Sequence, residues 1–137
     1  MNGKEAAMVR LVNKVKQLQV KLASERLGEE VHSTQAIIEG LSGHCRANAM
    51  ILQDMLEEEM GIKAQIVQGA LDYVNEPTPS TTLEAQKQGT RHYWLQIVDK
   101  STEFTGYHCD IMTETPEKPI TQPLLKKELP STYITFS

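Results

Sequence analysis

Leu52-Gln53-Asp54-Met55-Leu56-Glu57-Glu58-Glu59-Met60-Gly61-Ile62-Lys63-Ala64-Gln65-Ile66 is where the chain changes period. Upstream of Gly61, Cys45, Ala49, Leu52 and Leu56 recur at i, i+4, i+7 and i+11, and Ile51 and Met55 widen the apolar arc. That spacing predicts a helix over 44–60 largely surrounded by protein. Three acids at its far end oppose the helix dipole, and a glycine stops it. Downstream, Ile62, Ala64, Ile66 and then residues 69–74 follow the two-residue period of a strand.

Working outward toward the N-terminus, Met8, Leu11, Val12, Val15, Leu18 and Leu22 recur at spacings of three and four, predicting an amphipathic helix from Lys4 to about Leu27. Its cationic face is diluted by Glu5 and Glu25 and carries no Trp or Phe anchor, so packing on a core is expected rather than a membrane surface. Gly28 breaks the pattern. Val31, Ala36, Ile37, Ile38 and Leu41 then predict a shorter helix ending near Gly40 or Gly43, and Ser42 is the expected N-cap of the helix that follows.

Toward the C-terminus, strands are expected at 92–98, 104–112 and 132–136, with Asp99-Lys100-Ser101-Thr102 short enough for an antiparallel hairpin. Residues 75–89 and 113–130, both rich in proline, are expected as loops; the first leads into His92 and would border any site there. Helices first and strands afterwards predict an α+β domain: N-terminal helices and a central cysteine-bearing helix packed on an antiparallel sheet.

Composition narrows the functions. A chain of 137 residues that is 39% hydrophobic buries one core, and a single domain is expected. A net charge of −4 with scattered lysines and arginines offers no basic stripe for phosphates, so nucleic acid is not an expected partner. No apolar run approaches the roughly 20 residues that span a bilayer, and residues 1–5 lack an apolar signal core. A cytoplasmic protein with no membrane partner is the expectation, with Cys45 and Cys109 both as free thiols.

Three side chains stand out. Cys45 lies in Ser42-Gly43-His44-Cys45-Arg46-Ala47 at the head of the central helix, His92 opens the strand His92-Tyr93-Trp94-Leu95-Gln96-Ile97, and Asp110 lies on the next strand. A sulfur, an imidazole to hold its proton and a carboxylate to orient the imidazole are what a thiol nucleophile needs. A helix start favours the thiolate through unpaired N–H groups and the dipole.

The ordered set Gly43-His44-Cys45-Arg46-Ala47, Gly61-Ile62-Lys63-Ala64-Gln65-Ile66-Val67-Gln68-Gly69, His92-Tyr93-Trp94 and an Asp on the following strand resembles the core of the transglutaminase-like superfamily of cysteine enzymes. The resemblance covers residues 42–112, between N-terminal helices in 1–41 and a proline-rich connection and final strand in 113–137. It implies a papain-like arrangement in which Cys45 is the nucleophile, His92 the general base and acid, and Asp110 the orienting group. Trp94 matches the His-x-Trp pattern and is expected to wall the cleft. Here Tyr107-His108-Cys109 and Ile111 frame the Asp, where family members often have an aromatic before it and a Pro after it; Asp99 is the alternative orienting group.

Those roles imply a cysteine-dependent hydrolase or acyltransferase acting on peptide or carboxamide bonds, with a peptide or protein substrate and no cofactor. The backbone N–H of Cys45 is the first expected oxyanion donor, and Gln35 and Asn48 are candidates for the second. Two readings compete. The superfamily includes inactive members, so the chain is alternatively a module that binds a peptide in its cleft. The dipeptides His44-Cys45 and His108-Cys109 raise a zinc site, but neither can easily turn both side chains to one ion and the Cys-x-x-Cys clip is missing, so no metal is expected.

Overall fold

A computed structural model of the protein describes residues 2–71, 91–113 and 121–136. Among these residues, three helices precede five strands: α1 Gly3–Leu27, α2 Thr34–Leu41, α3 Cys45–Met60, β1 Ala64–Leu71, β2 Arg91–Ile97, β3 His108–Asp110, β4 Leu124–Lys126 and β5 Tyr133–Thr135. The sheet is antiparallel throughout, in the order β4-β3-β2-β1-β5. The architecture is the α+β class expected from the order of periodicities.

Each helix boundary has a local cause. Asn2 caps α1 by accepting from the Glu5 N–H at 2.8 Å, and Ser33 caps α2 by accepting from the Ala36 N–H at 3.1 Å. Ser42 does not cap α3. It closes α2, its hydroxyl donating to the Ile38 carbonyl at 2.6 Å, and the N-cap of α3 is His44, which makes no side-chain cap bond. The short α2–α3 connection passes through Gly43 at φ +79°, leaving Ser42 two residues before the N-cap position. Cys45 is therefore the first residue of α3. At the other end Gly61, at φ +65°, lets its own N–H and that of Ile62 turn back onto the carbonyls of Glu57 and Leu56.

The strand starts match the sequence pattern more closely than the strand lengths do. Residues 104–107, expected to open a long third strand, instead form a turn in which the Gly106 N–H donates to Ile97 and the Tyr107 N–H to Phe104. The β3 ladder holds only three residues. The structure adds a strand where a loop was expected: β4 pairs Leu124 with Asp110 and Leu125 with Cys109. Three residues next to Pro123 are too few to show a period. The loop expected at 75–89 lies outside the described residues, as does part of that expected at 113–130.

The two faces of the sheet are packed differently. On one, Leu95, Ile97, Cys109 and Ile111 join Leu11, Val15, Leu22, Leu52 and Leu56 of α1 and α3 in the larger apolar core. On the other, Trp94, Leu71, Leu124 and Tyr133 form a smaller cluster. Buried Gln19, on the apolar stripe of α1, donates through Nε2 to the carbonyls of Ile111 and Thr121. Those two bonds tie α1 to the segments on either side of the β3–β4 connection, satisfying carbonyls that burial would otherwise orphan. Among the described residues, no helix is long and apolar enough to cross a membrane.

Candidate active site

His92 and Asp110 meet because of register. Leu95 pairs with Cys109 across β2 and β3; one step further Asp110 faces Trp94, and His92 reaches it diagonally on the same sheet face. The result is a 2.6 Å contact between His92 Nε2 and Asp110 Oδ2, with both side chains about 5% exposed or less. At that burial a charge persists only if paired, and each group supplies the other's partner.

Cys45 comes to the same place from the opposite direction. The start of α3 runs alongside the first residues of β2, and the half-buried Cys45 thiol lies within hydrogen-bonding reach of the His92 ring. Its Sγ also lies 3.7 Å from the Arg91 carbonyl, a long contact available only to the protonated thiol. The bond to His92 is the main reason the Cys45 pKa falls below its ordinary value. Partial desolvation opposes the fall; the charge on the ring and the N–H groups of Tyr93 and Arg46 reinforce it. The structure thus brings together the three residues the sequence singled out.

A fourth participant carried no sequence signal. Tyr133 Oη donates to the same Asp110 Oδ2 at 2.7 Å and lies 3.3 Å from the Met112 carbonyl. β5 and β3 are separated by β1 and β2 in the sheet order. On a flat sheet they would stand about 14 Å apart, with side chains perpendicular to the sheet. The Tyr133–Asp110 bond therefore requires the sheet to curl toward this face. Only the tertiary structure relates the two residues, since 23 positions and several prolines separate them.

Trp94 has a different role from the one expected. It is fully buried, so it cannot wall a cleft that substrate enters. Its indole instead stacks on His92, with centroids 6.0 Å apart and planes 24° apart, and meets Tyr133 edge-on at 5.1 Å. The Nε1–H donates to His108 Nδ1 at 3.2 Å. Gly69 makes room for it: a Cβ there would fall 2.5 Å from the indole and 2.1 Å from the Ile134 carbonyl. The strip from Tyr133 through Trp94 to Asp110 forms a rigid back wall for the imidazole.

The two candidate oxyanion side chains lie elsewhere. Asn48 is buried, accepting from Arg26 Nη1 at 2.6 Å and donating to the Leu41 carbonyl at 3.0 Å, so its amide joins α1, α2 and α3. Gln35 sits exposed on α2 within reach of Glu39. The backbone N–H of Cys45, first in its helix, has no acceptor within the helix. Asp99, the alternative orienting group, accepts from Ser101 and from the Lys63 N–H at the other end of β2.

Cys109 shows what a thiol looks like without these arrangements. It is 1% exposed, faces the larger core, and burial together with the neighbouring Asp110 pushes its pKa up to about 12. Among the described residues, no three His, Cys, Asp or Glu side chains gather in a metal-holding group. No family model, curated protein or solved structure matches the chain.

Proposed function

We propose that the protein is a cysteine-dependent hydrolase or acyltransferase that cleaves peptide or carboxamide bonds through a thioester, with a papain-like core of the transglutaminase type. The support is one constellation: a thiol of lowered pKa against an imidazole that a buried carboxylate grips at 2.6 Å. A histidine and aspartate serving only the fold would not need a partly accessible sulfur on the ring's other side.

The roles follow from the atoms. His92 Nε2 is given to Asp110, so Nδ1 is the ring atom that takes the Cys45 proton, leaving a thiolate and imidazolium stabilised by the carboxylate behind. The thiolate attacks the carbonyl carbon of an amide, and the Cys45 N–H receives the developing oxyanion. Collapse breaks the C–N bond as the imidazolium proton passes to the departing amine, leaving a thioester on Cys45. Water or a second amine then attacks the thioester, His92 takes its proton, and the thiol is regenerated. A cytoplasmic setting, where thiols stay reduced, suits this chemistry.

The test is alkylation with iodoacetamide at pH 6, located by mass spectrometry. Cys45 is expected to react at least a hundredfold faster than Cys109, to lose that rate by at least tenfold in Asp110→Asn, and to be silent in Cys45→Ala. Equal, slow labelling of the two native thiols removes the activated nucleophile and leaves the inactive peptide-binding module in its place.

A further inference from the structure

Two arginines are chain neighbours of the thiol and the imidazole, and neither side chain belongs to the triad. Arg46 follows Cys45 on α3, and Arg91 precedes His92 on β2; both are exposed. The Arg46 guanidinium lies over the Tyr93 ring, 5.9 Å from its centroid. Arg91 and Tyr93, two apart on one strand, share the sheet face opposite His92. Arg91 thus stands on the strand face that carries Tyr93, over which Arg46 lies, and its own carbonyl is 3.7 Å from Cys45 Sγ.

Among the described residues, neither guanidinium has an ion-pair partner. The ion pairs among the described residues join Lys14 to Glu59, His32 to Glu30 and His92 to Asp110. In a chain of net charge −4, two guanidinium groups with no ion-pair partner among the described residues, on the chain neighbours of Cys45 and His92, are a local reversal of sign. The planar fork of Arg binds carboxylates in two-point contacts, and an uncompensated pair near a reacting atom draws anions to it.

We infer that Arg46 and Arg91 recognise acidic side chains flanking the scissile bond, so that the substrate of the Cys45 site is an acidic peptide segment. The inference rests on the thiol chemistry proposed above. Two separate, exposed guanidinium groups suit two carboxylates spaced along an extended peptide better than they suit one chain-terminal carboxylate, which is usually held in an enclosed nest of backbone N–H groups.

The experiment compares two alkylating agents of nearly the same shape, iodoacetate and iodoacetamide, on Cys45 of the full chain at pH 8 and low salt. In both, the thiolate forms an S–C bond as iodide leaves, so the ratio of the two rates cancels the thiolate fraction and isolates preference for a carboxylate. The ratio is expected to fall about threefold in Arg46→Gln or Arg91→Gln, about tenfold in the double variant, and toward the double-variant value in 0.5 M sodium chloride. Lys100→Gln, beyond the far end of β2, keeps the wild-type ratio. An unchanged ratio in the folded double variant overturns the inference even where fast iodoacetamide labelling at pH 6 upholds the nucleophile; slow labelling at pH 6 overturns both. Blocked peptides then identify the source of the carboxylate. Acetyl-hexaglutamate amide is expected to slow iodoacetamide alkylation of Cys45, and acetyl-hexaglutamine amide to leave it unchanged. Protection by acetyl-pentaglycine with a free carboxylate, in place of the hexaglutamate, overturns acidic side chains as the recognised group.

Discussion

The two faces of β2 and β3 come from the same residues read alternately, yet they behave as different materials. On one, Leu95, Ile97, Cys109 and Ile111 lie under α1 and α3 in an apolar core that leaves a cysteine inert, its pKa pushed up to about 12. On the other, His92, Trp94 and Asp110 are joined by hydrogen bonds and ring contacts, and Tyr133 closes the group from β5. The second cysteine, Cys45, meets that wired face at the end of the sheet and has its pKa lowered instead. Two thiols in one chain thus differ in the direction of shift because one meets burial and the neighbouring Asp110 charge, while the other has a hydrogen bond to His92, the charge on that ring and N–H donors.

The contrast can be broken most forcefully at Trp94. Replacing it with Ala empties the centre of the wired face, and a loss of about 3–5 kcal/mol in unfolding free energy is expected from urea titration. Because the indole also stacks on His92, the pH 6 alkylation rate of Cys45 is expected to fall in whatever fraction remains folded.

Cys109 sharpens the comparison from the apolar side. Its native pKa lies above the ordinary 9.0, so the folded state keeps a proton that the unfolded chain gives up. Stability from this group is complete below pH 9 and declines as pH rises toward about 12. The slope is at most about 1.4 kcal/mol per pH unit. Urea titrations at pH 8 and pH 10.5 are expected to show a smaller alkaline loss in Cys109→Ala than in the unsubstituted chain; an identical loss would mean that Cys109 reaches solvent.

The smallest expected effect is at Tyr133. Phenylalanine keeps the ring against His92 and Trp94 and removes one hydrogen bond to a carboxylate, costing roughly 1.5 kcal/mol. The pH midpoint of Cys45 alkylation is expected to move upward, because a less firmly held Asp110 orients His92 less well. A midpoint that stays in place would make the hydroxyl a structural tie only.

The helices were the most legible part of the chain. Leu11, Val15, Leu18 and Leu22 on α1, and Ala49, Leu52 and Leu56 on α3, repeat for several turns, and each element closes on a local signal such as Gly61. Strand existence was readable where alternation lasted, as in β1 and β2, but β4 is three residues beside Pro123 and carries no period. The buried Gln19 lies on the apolar stripe of α1, and nothing local distinguishes it from a polar residue at the stripe's edge; its two carbonyl partners sit about a hundred residues away.

The amino-acid sequence by itself determined the α+β order of elements and nominated Cys45, His92 and Asp110, because residue type and short-range spacing are local properties. The tertiary structure decided how those groups are held. The pairing of β5 with β1, the curl that lets Tyr133 reach Asp110, the room Gly69 leaves for Trp94 and the placement of Arg46 over Tyr93 all depend on contacts between strands and helices distant in the chain. Sheet order and curvature are set by packing of the whole core, and no window of sequence contains them.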